Sequence, residues 1–204
     1  TFHSAALRQL QYFWPSAIGG SMPPLIEHKA SLISAAAARI GIRADKALVR
    51  DLAAEVEWSK VSMLDADAYA EAVRTNRRTP PGDLSIDDVL ALMDAYQEAK
   101  EDRGVLDFED VLVLTAGILQ DYPAIAQRIH RQYRSFVVDE YQDVSALQHH
   151  VLNLWLGGRH DICVVGDVAQ TIYSFAGASP RYLQDFAQEH KGARVVQLVR
   201  DYRS

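Results

Sequence analysis

Cysteine is almost missing from this 204-residue chain; the single one is Cys163, in the apolar run Ile162-Cys163-Val164-Val165. One thiol cannot close an internal disulfide, so a disulfide-stapled fold is excluded. The apolar run predicts a buried structural Cys163 in a reducing, cytoplasmic setting. No run of 18 or more apolar residues occurs, so no spanning helix is expected. The opening Thr1-Phe2-His3-Ser4 has neither the basic nor the apolar stretch of a secretory signal. An excess of positive charge is also lacking: the net charge is −6. That argues against simple coating of nucleic acid, although one local basic groove suffices to bind phosphates. The histidines beyond His3, including the adjacent His149-His150, have no Cys or carboxylate at metal-ligand spacing, so no histidine-built metal site is expected. What remains is 49% hydrophobic and 24% charged, the balance of a soluble globular protein. The length allows one sizeable core, or one core with a smaller lobe.

Helical periodicity dominates. A first amphipathic helix is predicted from about Ser4 to Phe13, with a break at Trp14-Pro15 and another at Gly19-Gly20-Ser21-Met22-Pro23-Pro24. Four further helices are expected around 29–40, 45–60, 66–75 and 86–103. The last opens at Ser85 with Asp88 three residues on, the pattern of a reciprocal cap, and Gly104 stands where a left-handed stop belongs. Between the third and fourth of these lies the basic loop Arg74-Thr75-Asn76-Arg77-Arg78-Thr79-Pro80-Pro81-Gly82. From Val105 the character changes. Helices at 107–121 and 123–133 lead to the run Ser135-Phe136-Val137-Val138. A helix over 144–156 leads to Ile162–Val165, and one near 180–190 leads to Val195–Val199. Strands alternating with helices predict a parallel sheet with right-handed crossovers. The expected class is α/β, with 1–20 and 105–204 forming one domain and 21–104 a helical subdomain inserted into it.

Phe136-Val137-Val138-Asp139-Glu140-Tyr141-Gln142-Asp143 is an apolar strand followed at once by acids. Ligands of parallel sheets bind at the carboxyl ends of strands, so these acids would face a crevice. A hard oxygen ligand such as Asp139 suits Mg²⁺, and an adjacent Glu140 suits a base that orients or deprotonates a water attacking a phosphate. The competing reading is that the acids merely cap the next helix.

The second strand ends in Val164-Val165-Gly166-Asp167-Val168-Ala169-Gln170-Thr171-Ile172-Tyr173-Ser174-Phe175-Ala176-Gly177-Ala178. This stretch closely resembles motif III of UvrD/PcrA/Rep-like superfamily 1 DNA helicases, roughly VGDxxQSIYxFRGA. DEYQD at 139–143 is similar to their motif II, or Walker B. Leu198-Val199-Arg200-Asp201-Tyr202-Arg203-Ser204 resembles their LxxNYRS. Thr1-Phe2-His3-Ser4 resembles their TFHS element, and Leu106-Asp107-Phe108-Glu109-Asp110 their DFxDL segment. About a dozen matches in order, each expected by chance at roughly one position in 20, exclude coincidence.

The resemblance implies a partial parallel sheet of a RecA-like P-loop NTPase domain with a mostly helical inserted subdomain. It implies ATP and Mg²⁺ as ligands, and single-stranded DNA and duplex junctions as partners. Position by position, Asp139 would bind Mg²⁺ and Glu140 would be the catalytic base. Gln170 would sense the γ-phosphate, Arg203 would stabilise its developing charge, and Tyr202 would stack on adenine. Tyr173 and Phe175 would line pockets for single-stranded bases, and Thr1 and His3 would lie near the DNA backbone. Arg77 and Arg78, with Arg74, would touch duplex phosphates from the inserted lobe. Each assignment has a plain structural counterpart: core aromatics for Tyr173 and Phe175, packing for Tyr202, a surface ion pair for Arg203, a local hydrogen bond for His3 and a solvated loop for the arginines.

Three departures stand out. Ala176 replaces the usual Arg, Val168-Ala169 lacks an acid often found there, and Asp201 replaces Asn. A larger one is that the phosphate-holding GxxxxGK(S/T) loop occurs nowhere in the chain. The family places that loop before a position like Thr1 and its second motor domain after one like Ser204. The expectation is an active parent enzyme of 3′-to-5′ polarity, and no ATP hydrolysis or unwinding by these 204 residues alone. A helicase–nuclease of the RecB/AddA type shares the same motifs, and a non-catalytic DNA- or partner-binding module is the alternative of another class.

Overall fold

Helices dominate residues 1–171 and 176–198, the part of the chain that the computed structural model describes. Helix α1 spans Phe2–Ala17; Thr1 caps it by accepting the Ser4 amide at 3.2 Å. The break expected at Pro15 does not occur. Pro15 and Gln11 lie on the exposed side of α1. The carbonyl that proline leaves without a helical donor therefore faces water, close to the helix end, where the loss is tolerable. Helices α2 (Ala30–Arg39), α3 (Lys46–Val61), α4 (Ala66–Arg74) and α5 (Ile86–Arg103) follow within a residue or so of their expected limits. Asp45 and Asp65 cap α3 and α4. Ser85 and Asp88 cap α5 reciprocally, and Gly104 ends it at φ +57°. Then come α6 (Phe108–Asp121), α7 (Pro123–Gln132), β1 (Phe136–Val138), α8 (Ala146–Leu156), β2 (Ile162–Val164) and the short α9 (Arg181–Gln184) and α10 (Phe186–Glu189).

Apolar burial falls into adjoining clusters. Leu10, Phe13 and Trp14 of α1 pack with Val111 and Leu112 of α6, Ile129 of α7 and Trp155 of α8. A second cluster joins Leu32, Ile33, Leu52, Val56, Leu92 and Tyr96 from α2, α3 and α5. Each large side chain buried in this way contributes about 1.5–3 kcal/mol. The rings of Phe2, Trp155 and Phe136 stack in series, with centroids 5.9 and 6.1 Å apart, and fix the start of α1 against α8 and β1. The Trp155 indole N–H donates to the buried Gln9.

The α2–α5 helices join the rest through two neighbouring strands of chain, where Leu25 and Leu106 form a parallel bridge. Beside this bridge, three lysines from the helical part meet three acids at the start of α6. Lys29 pairs with Glu109. Lys60 reaches Asp107 at 2.8 Å and Asp110 at 2.7 Å. Lys100, almost wholly buried, pairs with the same two aspartates. The Tyr96 hydroxyl donates to Asp107. Burial alone would raise the Asp107 pKa; the charge and hydrogen bond of Lys60, then the charge of Lys100, reverse this and hold it well below the usual carboxylate range.

The sheet is parallel, as the alternation predicted, with Phe136, Val137 and Val138 opposite Ile162, Cys163 and Val164. Its underside packs on Leu152 and Leu156 of α8. Two expectations are corrected. Cys163 is exposed, not buried, because it shares with Val137, itself 78% exposed, the sheet face that no described element covers. The strand expected at Val195–Val199 is not formed over its described part: residues 195–198 have no regular structure, and Leu198 is 92% exposed. Among the described residues no strand stands beside them to pair with, and propensity alone does not make a strand. Among the described residues no helix is long and apolar enough to cross a membrane.

Candidate functional site

The carboxyl ends of β1 and β2 carry a continuous polar chain. Beyond Val138, Asp139 and Glu140 are exposed, and the Glu140 amide donates to Asp139 Oδ1 at 3.0 Å. Glu140 adopts the left-handed conformation (φ +52°), an unfavourable setting for a residue with a side chain. The reversal it produces feeds the tight turn Tyr141–Asp143. The Tyr141 amide donates to the Val165 carbonyl at 2.9 Å, so the turn is pinned across the strand pair.

Gln142, fully buried, is the bridge. Its side-chain amide donates to Glu140 Oε2 at 2.7 Å, and its carbonyl oxygen accepts the Asp167 backbone N–H at 3.1 Å. Only glycine fits beside it: a methyl on Gly166 would lie 2.5 Å from Gln142 Oε1. Asp167 in turn caps the turn Val168–Gln170. It accepts the Ala169 amide at 2.9 Å and the Gln170 side-chain amide at 3.0 Å. Those two hydrogen bonds, the Gln170 one first, hold its pKa below the usual range. Asp139, Glu140 and Gln170 therefore stand on one edge, linked through Gln142 and Asp167. The bridging roles of Gln142, Gly166 and Asp167 were not anticipated, although all three lie within the quoted motifs.

The other candidates are placed as follows. Tyr173, Phe175, Tyr202 and Arg203 lie outside the described residues. Thr1 is the α1 cap. His3 stacks on Phe108 with ring centroids 4.1 Å apart, and Phe108 is half exposed. Burial, then the charge of Lys29, push the His3 pKa down to about 4, so it is neutral at neutral pH. Its Nε2 is buried without a hydrogen-bond partner. Phe108 was unforeseen as a surface aromatic; its place next to TFHS becomes visible only in three dimensions. Arg77 is exposed and bonds the Thr75 hydroxyl. Arg78 instead turns inward, forking onto the buried carboxylate of Glu55 at 2.6–3.2 Å, over the Trp58 ring.

The strand-end acids suit a hard cation. Among the described residues there is no cluster of three or more His, Cys, Asp or Glu that would cage a metal. One exposed carboxylate, Asp139, completed by waters and phosphate oxygens, is the donor set that Mg²⁺ accepts.

The model of the UvrD/REP helicase N-terminal domain matches residues 1–191. The chain is similar over its whole length to the ATP-dependent DNA helicase UvrD2 of Mycobacterium tuberculosis (strain H37Rv), with 47% identity over 208 aligned positions. It is similar to the ATP-dependent DNA helicase UvrD1 of Mycobacterium leprae, with 29% identity and again the whole chain covered. UvrD1 of Mycobacterium tuberculosis (strain H37Rv) is 39% identical over 57% of the chain. The chain spans only 29% of the UvrD2 length, 27% of the Mycobacterium leprae UvrD1 length and 16% of the Mycobacterium tuberculosis UvrD1 length.

Proposed function

Because this chain belongs to the UvrD/REP helicase family, we propose that it is part of a cytoplasmic, ATP-driven DNA helicase motor of 3′-to-5′ polarity, and that the strand-end chain is its hydrolytic edge. The supporting observation is the unbroken hydrogen-bond path from Glu140 through Gln142 and Asp167 to Gln170. In this reading Asp139 holds Mg²⁺, which when bound would neutralise phosphate charge. Glu140 takes the proton of the attacking water, and the Gln142 amide fixes the orientation of its carboxylate. Gln170 faces the γ-phosphate and, through Asp167 and Gln142, feels the same displacement as Glu140. Arg203 stabilises charge on the departing oxygens and Tyr202 stacks on the adenine. Residues 1–20 and 105–204 form the motor part and 21–104 the inserted lobe.

On the DNA side, Tyr173 and Phe175 stack single-stranded bases, and the exposed Phe108 side chain, backed by neutral His3, offers a further flat surface for a base. Stacking of this kind serves a motor that must accept any sequence, at about 1–3 kcal/mol per base. Thr1 orders the adjacent helix end. Arg77 is the lobe arginine oriented for a duplex phosphate. The 204 residues alone, without a GxxxxGK(S/T) loop in their sequence, neither hydrolyse ATP nor unwind DNA. The test is ATP hydrolysis by the full-length protein with and without single-stranded DNA. Wild type is expected to be stimulated by DNA, Asp139→Asn to lose both rates, and Tyr173→Ala/Phe175→Ala to lose the stimulation alone. Hydrolysis untouched by Asp139→Asn would refute the reading.

A further inference from the structure

Among the described residues, the helical part closely approaches the chain at Gly177, which is itself fastened to the acidic segment. Glu55 of α3 is only 2% exposed, and its carboxylate is fully engaged: Arg78 forks onto it and the Tyr69 hydroxyl donates to it at 2.8 Å. The guanidinium also covers the Trp58 ring, 4.3 Å from its centroid. Removing Arg78 would leave the Glu55 charge buried and uncompensated, and Tyr69 adds a hydrogen bond to it, so α3, α4 and the Arg77–Arg78 segment are held together.

The far side of that piece meets the backbone at Gly177. Gly177 has φ +92°. A methyl group there would lie 2.7 Å from Val61 Cγ2, 3.2 Å from Ser62 Oγ and 3.7 Å from Trp58 Cδ1. Backbone thus lies directly against the end of α3, with no side chain between to absorb movement. One residue further, the same backbone is fastened to the first acidic segment. Ala178 forms an antiparallel bridge with Ser145, and the Ser179 amide donates to the Val144 carbonyl at 3.1 Å. Val144 and Ser145 directly follow the Tyr141–Asp143 turn that carries Gln142.

We infer that Gly177, seated against the Val61–Ser62 end of α3 with Trp58 beside them, forms a positioning contact through which the α2–α5 helices set the register of Gln170 against Glu140, so that what those helices touch governs the rate of hydrolysis. The inference rests on the proposed function. Close-packed contacts shift between discrete arrangements instead of stretching. A displacement of α3 therefore passes to Gly177–Ala178, from there to Val144–Ser145, and so to the Tyr141–Asp143 turn whose Gln142 links Glu140 to Asp167 and Gln170. Trp58 and Gly177 touch no reacting atom; they act through the residues that do.

The experiment uses the full-length protein and measures kcat and KM for ATP with and without saturating partial-duplex DNA. Trp58→Ala and Gly177→Ala are each expected to lower the DNA-stimulated kcat by about tenfold, a typical coupling size, while leaving the DNA-free kcat and the KM for ATP unchanged. Trp58→Phe, which keeps a ring beneath Arg78, is expected to restore most of the stimulation, and it guards against simple misfolding of the larger truncation. Loss of both rates in parallel would overturn the inference, as would variants that match wild type. Asp139→Asn, run alongside, reports separately on the hydrolytic reading: if it stays active, that reading fails whatever the Trp58 and Gly177 variants do.

Discussion

Two polar networks in this chain use the same kinds of residue to opposite ends. At the start of α6, Asp107, Glu109 and Asp110 are buried and each is met by lysine from another helix. At the ends of β1 and β2, Asp139 and Glu140 are exposed, and their described protein partners are amides, not cations. The first network is closed: carboxylate charge is balanced within the fold, which holds the α2–α5 helices against α6. The second is open: its acids are exposed and oriented by neutral donors, the arrangement that the proposed function reads as a site for a ligand. Balanced, buried charge points to architecture, and oriented, unbalanced charge points to chemistry.

The largest effect that would break this contrast lies in the closed network. Asp110→Ala leaves Lys100 in a buried site with half its counter-charge and is expected to destabilise the full chain by about 3–5 kcal/mol in urea melts. Lys100→Met combined with Asp110→Leu, which removes charge in balance, is expected to recover most of that loss. A small effect for the single variant would mean the junction is not load-sharing and would dissolve the distinction. Next in size is Gln142→Ala. It strips a bridge from a buried amide, and the expected loss of about 1–3 kcal/mol in the same melts identifies the one point where the open network is also structural.

A pH experiment gives a subtler test. In the unfolded chain His3 takes up a proton near 6.5, whereas in the fold it does so only near 4. The unfolded state therefore binds more protons between those values, and stability falls as pH drops through that window. His3→Phe, which keeps the stack on Phe108, is expected to flatten the decline relative to wild type; identical slopes in thermal melts from pH 6.5 to 4 would contradict the burial assigned to His3. The smallest effect is expected at Asp167, whose side chain is exposed: Asp167→Asn, which keeps an acceptor oxygen for the Ala169 amide, should leave the melting temperature close to that of wild type.

Most helices were legible because their ends are written locally. Ser85 with Asp88 and the left-handed stop at Gly104 set the limits of α5 within a few residues of sequence. Pro15 misled because its effect depends on whether a freed carbonyl faces water, which one sequence cannot say. Cys163 and residues 195–198 misled for a shared reason: apolar, β-branched runs read as buried strands, yet burial is conferred by whatever covers the sheet. The candidate acids and Gln170 were legible as motif residues, whereas the bridge between them was not. Gln142 and Asp167 stand 25 residues apart and meet only through the parallel pairing of β1 and β2. Arg78 shows the same limit. Read as part of a basic loop, it was expected to be free for phosphate, but its carboxylate partner lies 23 residues earlier, inside α3.

The central claim is that the strand-end acids serve hydrolysis and not folding, and Glu140→Gln in the full-length protein tests it most directly. Melting temperature and kcat for ATP should be measured on the same preparation. The account predicts an unchanged melting temperature with kcat lowered by about 10²–10⁴, the usual contribution of a positioned base. A lowered melting temperature with kcat per folded molecule preserved would contradict it.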